Sequence, residues 1–563
     1  MNENLAKILA WGENRKIQLG ALFGIFILSS LLLFMPGITI GHDIFFHLLR
    51  VAGLADELKR GNFPVRLQSI WLDGYGYPVS IYYGDLLLYF PAVLHFLGLS
   101  LTRAFSLYLM AINAATTLIS YECFKRIFKS RNIGLLVCLV YTTASYRLLD
   151  IFVRSAVGEF SSFLFFPIVA LAFYNLFSDS PEKNFKTALL LAAGMSGLVL
   201  THILSTEMCA LILLLISLFF LKKVFSKKIF LTLLSAVFLT LLFCAFFIVP
   251  LIDYSINVPV KITQMTEKHI QSGGIYFSQL FAFFQNPFGY DSSSVKDRML
   301  FSPGMPLMAG LVFSIIYLVY YKKDKELSFF LMLSVFTLFI SSSRFPWDKI
   351  ASTKIGMFIS QIQFSWRWLG MATVALTLLL GRLLVLHDKN HRVVWGGVIC
   401  MAILQTTAFT SIYINQAGNY GAKDYTEFGN NWSIGNEYIR LGTDIKNLSG
   451  EIETNNIKIS NLTRNANSFQ FHAKGIEAGF VELPIFNYKG YTAVYGNGKK
   501  LAVTDGKNNV VRIVFPENFD SDVSVRFEEP LLWRIASIVS LCSVVLVLCF
   551  LLNRKIKTKS IAK

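Results

Sequence analysis

Charge is scarce in this chain: 15% of its 563 residues are Asp, Glu, Lys or Arg, against roughly 25% in a soluble domain. That excludes an ordinary globular protein of this length, and a mean hydropathy of +0.53 points to lipid as the main solvent. Cysteine is scarce too. All seven, Cys123, Cys138, Cys209, Cys244, Cys400, Cys542 and Cys549, lie in or beside apolar runs, so neither a disulfide framework nor a thiolate metal site is expected. With only 15 Pro against 51 Phe, a disordered or fibrous chain is excluded as well. No short repeat or low-complexity tract stands out.

Acids are the rarer sign, 35 against 52 Lys and Arg, for a net charge of +17. Position explains the excess. Hydrophilic breaks between apolar runs are strongly basic at every second occurrence: Lys7/Arg15/Lys16, Lys125/Arg126/Lys129/Arg131, Lys183/Lys186, Lys222/Lys223/Lys227/Lys228, Lys322/Lys323/Lys325, Lys389/Arg392, and the tail from Arg554 to Lys563. Cytoplasmic loops retain Lys and Arg, so the alternation reads as topology and calls for no nucleic-acid partner.

Apolar runs able to cross about 30 Å of hydrocarbon fall near 17–36, 104–123, 132–148, 159–177, 186–203, 207–221, 229–250, 303–320, 327–342, 368–386, 393–413 and 531–552. Twelve crossings put all seven basic breaks, and both termini, on the cytoplasmic side. The first run is too long, and lacks the small-residue cleavage site, to be a removed signal peptide. The expected fold is a polytopic α-helical membrane protein of about twelve transmembrane helices in the cell membrane. Residues 1–413 form its main membrane module, 414–530 a small extracytoplasmic β-domain, and 531–563 a last span with a basic tail. The β-domain rests on period-two stretches, Val523/Val525/Phe527 against Ser524/Arg526/Glu528, and on a Gly496-Asn497-Gly498 hairpin signal. Other external segments are a first loop over 37–103, a stretch over 251–302 expected to act as a flap with Lys261, Lys268, Lys296 and Arg298 on it, and 343–367.

Candidate chemistry concentrates in the external segments. After the first span comes Gly41-His42-Asp43, then a pattern predicting a helix to about residue 60. Ile44, Leu48, Val51, Ala55 and Leu58 form an apolar stripe, while Asp43, His47 and Arg50 share another face. Such a helix is expected to lie in the membrane interface, and a carboxylate there can take a proton from a hydroxyl. Asp43 also has a plain reading as a helix N-cap. His42 and His47 suit a phosphate or metal contact as well as a simple interfacial role. Asp73 and Asp85 flank a loop rich in Gly and Tyr, including Tyr82, that suits either a sugar or an ordinary interfacial turn. Arg154 and Glu159 fit an active site or an ion pair. His202 fits a site or a satisfied interfacial residue. Arg367, between Trp366 and Trp368, fits a lipid phosphate or an interface anchor.

The ordered set GHDIFFHLLR (41–50), YGYPVSIYYGDLLLYFP (75–91), RSAVGEF (154–160), THILST (201–206), QFSWRWLG (363–370), GNEYIR (435–440) and YKGYTAVYGNGKKLAV (488–503) resembles the GT-C class of integral-membrane glycosyltransferases. Within it, the chain looks like the bacterial YfhO-like proteins and the membrane family labelled as related to 6-pyruvoyl-tetrahydropterin synthase. Ser365 stands where that resemblance leads one to expect proline. The resemblance implies a polyprenyl-phosphate-linked sugar as donor, a cell-envelope glycan or glycopolymer as acceptor, and transfer on the extracytoplasmic side. It carries the role of catalytic base or acceptor-positioning acid to Asp43 and gives basic residues of the external loops the lipid phosphate, while Glu159, an acid where a long apolar span begins, is a second catalytic candidate on its position alone. It leaves open a divalent metal, Mg or Mn, near Asp43 and His42. Two other classes remain alongside: a twelve-span transporter or lipid-linked glycan flippase, which lacks here the paired halves of such carriers, and a non-catalytic envelope scaffold.

Overall fold

A computed structural model describes residues 14–35, 41–178, 184–262, 270–288, 299–321, 323–353, 356, 359–387, 391–417 and 437–561. Lys268, Lys296, Arg298 and the 418–436 part of the expected external domain lie outside them. The chain divides into two compact units: residues 1–44, 102–237 and 266–424 form one, and residues 45–101, 238–265 and 425–563 the other.

The first unit is helical. Its helices include Leu101–Phe128, Arg131–Thr142, Phe166–Phe177, Asn184–Val199, Met305–Tyr320, Lys325–Ser341 and Trp368–Leu386. Helix Trp368–Leu386 is central, packing against Lys325–Ser341, Met305–Tyr320 and Arg131–Thr142. Its small residues let neighbours approach: a Cβ on Gly381 would lie 2.1 Å from the Phe128 ring. Several hydroxyls inside the helices are satisfied by the preceding turn. Thr373 donates to the carbonyl of Leu369 at 2.7 Å and Ser334 to that of Phe330 at 2.7 Å.

Each of the twelve apolar runs falls on helix over most of its length. Among the described residues six helices are long and apolar enough to cross a membrane, or seven if the pair Arg131–Thr142 and Ser145–Arg154, bent by 44°, is one span. The helices on five other runs have 15 to 17 residues, fewer than the roughly 20 that a straight crossing takes.

The second unit holds an eight-stranded antiparallel sheet: β1 Glu453–Asn455, β2 Lys458–Asn465, β3 Ser468–Gly475, β4 Gly479–Phe486, β5 Tyr491–Tyr495, β6 Lys499–Asp505, β7 Val510–Phe515 and β8 Phe519–Phe527. Their order is β1-β4-β7-β6-β5-β8-β3-β2. The expected hairpin joins β5 to β6, with Gly496 and Gly498 at φ of 51° and 86°, a left-handed backbone that glycine adopts without a Cβ penalty. In β8, Val523 and Val525 are buried as their alternation predicts. The core of this unit joins the sheet to the first loop: Trp71, Tyr77 and Tyr82 pack with Val481, Ile513, Val525 and Trp533. Helix Lys227–Asn257 passes from the first unit into this one, where Ser540 of helix Leu531–Ile561 donates to Leu242 O at 2.9 Å and accepts from Phe246 N at 3.0 Å.

The start of the 251–302 stretch is anchored. Residues 251–257 are the last turns of that long helix, and residues 259–262 pair with 437–441, Lys261 N donating to Ile439 O at 2.9 Å and Leu441 N to Pro259 O at 2.9 Å. The helix after the first span also differs from its expected setting. Ile44–Lys59 is a helix, but its stripe residues Ile44, Leu48, Val51 and Ala55 are buried inside the protein, and so are His47, Arg50 and Glu57. A period-3.6 pattern tells which residues share a face and not whether lipid or protein covers it.

Candidate active site

The site is built at a broken helix. Thr142 and Thr143 turn their hydroxyls back on the carbonyls of Cys138 and Leu139, at 2.9 and 2.7 Å, and such back-bonding bends helices. Carbonyls freed at the break find side chains: Arg147 Nη1 donates to Thr142 O at 3.0 Å and Gln405 Nε2 to Thr143 O at 2.7 Å. The second limb ends in a five-residue π-turn, Asp150–Arg154, followed by Ser155 at φ 50°. Wide turns of this kind and left-handed non-glycine residues recur at functional sites.

Two results follow from that geometry. Arg154 turns inward, and the carbonyls of Val153 and Arg154 are left free to accept backbone N–H groups from His42 and Asp43, each at 2.9 Å. Asp43 is therefore fixed through its own backbone and sits one residue before its helix. Close approach makes Gly41 necessary, since a Cβ there would lie 2.0 Å from Ser155 Oγ and 2.7 Å from Ser155 Cβ.

Around Asp43 the first unit gathers a network of buried charges. Arg154 Nη1 donates to Asp150 Oδ1 at 2.5 Å, to Glu159 Oε2 at 2.8 Å and to the Tyr146 hydroxyl at 3.4 Å. Tyr146 in turn donates to Glu159 Oε1 at 2.5 Å. Arg367 places Nε 3.5 Å from Glu159 Oε2 and is held by Nη1 hydrogen bonds to Ile362 O at 2.7 Å and Gln363 Oε1 at 3.0 Å. Among the described residues, Arg367 Nε and Asp150 Oδ2 are buried without a hydrogen-bond partner. His202 caps helix Ile203–Phe219 through Ser205, whose backbone N–H donates to His202 Nδ1 at 3.3 Å.

Burial raises the Asp43 carboxyl above its ordinary range, with Glu159 adding to the rise and Arg154 and Arg367 opposing it. For His42, partial burial and then the charge of Arg154 push the imidazole below its ordinary value. A carboxyl perturbed in this way beside guanidinium groups is equipped to accept a proton while a neighbouring anion is held.

The structure thus gathers five of the sequence candidates, Asp43, Arg154, Glu159, His202 and Arg367, with His42 on the adjoining backbone. The other four lie in the second unit, three of them with partners there. Asp85 pairs with Arg50, which also contacts His47 Nδ1 at 3.1 Å and lies 4.0 Å from the Tyr83 ring centre. Tyr82 stacks on Tyr438 at 4.9 Å within the core and so does not present its ring to solvent. Asp73 is an exposed left-handed turn residue at φ 55°. Asp150 and Tyr146 were not legible as site residues: the apolar run stops at 148, and the one signal was the i, i+4 spacing of Asp150 to Arg154. Among the described residues no three His, Cys, Asp or Glu side chains converge as a metal would require.

No family model matches the chain. An uncharacterized protein of Lactococcus lactis subsp. cremoris (strain MG1363) is 27% identical over 199 residues, 35% of this chain and 32% of that protein. The match thus spans about a third of the relative's length. Among solved structures, the Archaeoglobus fulgidus oligosaccharyltransferase tethered to an acceptor peptide is 12% identical, covering 72% of this chain and 56% of that one, with a TM-score of 0.40. The archaeal oligosaccharyltransferase AglB of the same organism, in complex with an inhibitory peptide and a dolichol-phosphate, is 12% identical at a TM-score of 0.37, covering 72% and 55%.

Proposed function

We propose that the protein is an integral-membrane glycosyltransferase of GT-C type, akin to the YfhO-like proteins, that moves a sugar from a polyprenyl-phosphate donor to a cell-envelope glycan on the extracytoplasmic side. One observation carries this reading above the others: Asp43 is fixed by its backbone to the Arg154 peptide and lies within the field of Arg154, Arg367 and Glu159.

The chemistry this supports is a single displacement. Asp43, ionised, takes the proton of the acceptor hydroxyl, and the oxygen attacks the anomeric carbon. The bond from that carbon to the phosphate oxygen breaks, and its electron pair leaves on the lipid phosphate. Negative charge then grows on the leaving group, where a prepositioned guanidinium is most effective. Arg154 is already engaged by two carboxylates, so Arg367, whose Nε makes no hydrogen bond, is the freer cation for that oxygen. Glu159 positions both arginines, and Asp150 shares the hold on Arg154.

Mass spectrometry of envelope polymers and lipid-linked sugars from cells with and without the chain tests the reading. The donor lipid should accumulate, and one polymer should lose a sugar, when the chain is missing; unchanged profiles of both contradict it.

A further inference from the structure

Two of the sequence segments singled out above, ending at Arg440 and spanning 488–503, take no part in the buried network of the first unit. In the second unit they meet at one cavity of about 300 Å³. Arg440 is brought there by the short antiparallel pairing of 259–262 with 437–441. Its Nη1 and Nη2 grip Asp505 Oδ1 and Oδ2 at 2.5 and 2.9 Å, and Nη1 also reaches Asn487 O at 2.8 Å. Asn487 Nδ2 donates to Asp505 Oδ1 at 2.7 Å. Lys489 on the rim is bonded to Asp253 at 2.7 Å. Val258 and Val503 add apolar wall.

We infer that this cavity is a binding subsite for one neutral sugar unit of a glycan. Charge selects the ligand class. Each cation has a carboxylate on it, Arg440 with Asp505 and Lys489 with Asp253, so the cavity offers no excess of either sign to an ion. What it offers is a half-exposed carboxylate, with 48% of the Asp505 side chain accessible, fixed in orientation by a bidentate arginine and an amide. Planar groups held in this way present paired acceptors and donors to vicinal hydroxyls without first losing rotamer freedom. Val258 and Val503 supply surface for the C–H face of the ring. The volume lies at the small end of ligand pockets and suits a single ring with its neighbours outside. This assignment rests on the transferase reading only for its purpose, which is to seat the acceptor glycan, because binding is measured without transfer.

The test uses the full chain in phosphatidylcholine nanodiscs, titrated with maltotriose, cellotriose, chitotriose and mannotriose, and separately with inorganic phosphate. At least one trisaccharide should bind, and it should slow hydrogen exchange of 487–491 and 503–505 in the wild-type chain. Asp505→Asn and Asn487→Ala should each weaken that binding tenfold or more. Asn487→Ala leaves the Arg440–Asp505 pair in place and so serves if Asp505→Asn does not fold, and the exchange measurement needs no variant. Asp43→Asn should bind the trisaccharide as wild type does, which separates this claim from the catalytic one. Absence of binding above empty discs, protection elsewhere in the chain, unchanged affinity in the folded variants, or binding of phosphate in place of every trisaccharide overturns the inference.

Discussion

At the residue scale, the proposed transfer depends on the environment of one carboxyl. Burial raises Asp43 above its ordinary value of about 3.9, and a base acts only when ionised. Transfer should therefore fall as the pH drops through that raised pKa. The acidic limb of the kcat/KM profile is expected above pH ~4 and should vanish in Asp43→Asn. A limb at or below pH ~4, or one that persists in the variant, contradicts the assignment. Glu159 has a different part. It accepts from Tyr146 and Arg154 and lies 3.5 Å from Arg367, so Glu159→Ala leaves the buried Arg154 and the half-buried Arg367 short of a partner. Breaking a buried pair costs about 3–5 kcal/mol, and the purified variant should unfold at a clearly lower temperature. Thermal unfolding equal to that of wild type would show that the network does not hold the first unit together.

At the element scale, the proposed site depends on the broken helix, whose fit to residues 41–43 is close. Gly41→Val has to push Ser155 away, because the added Cβ falls 2.0 Å from its hydroxyl. A misplacement of about 1 Å near a reacting group costs on the order of 10²-fold. Transfer by Gly41→Val should drop by about that factor at normal expression, and near wild-type transfer would show that the contact with Ser155 is dispensable. Much at this scale was legible in advance. Apolar runs located helices, and Gly496 and Gly498 located a hairpin, because both signals are local. Partners were not legible. The face carrying His47 and Arg50 was expected at a membrane surface, yet Asp85, thirty-five positions beyond Arg50, takes that arginine inside the second unit. Tyr82 suits a sugar-binding loop as well as an interfacial turn by composition, and nothing local in the sequence announces the stack on Tyr438 that covers its ring. Asp150 was passed over because a hydropathy run ends two residues before it, whereas the π-turn that aims Arg154 at it is a tertiary feature.

At the scale of the whole molecule, the charge alternation predicts a topology. Residues 37–103 and 414–530 should lie outside the cytoplasm, so cysteines introduced at Asn62 and Asn497 should be labelled by an impermeant maleimide in intact cells. Labelling of either only after lysis would invert the proposed site with respect to the membrane. The β-domain is expected to select the acceptor and not to perform the chemistry, so deletion of 414–530 should reduce acceptor discrimination more than donor binding. The central claim remains that Asp43 is the base of a glycosyl transfer, and Asn keeps its shape without its basicity. The most direct test is the transfer rate of Asp43→Asn against wild type in membranes carrying equal amounts of each protein, with the donor identified by mass spectrometry. Loss of a general base costs 10²–10⁴-fold, so the rate should fall by roughly that much while donor binding persists; transfer at near wild-type rate by a normally expressed Asp43→Asn protein would contradict the account.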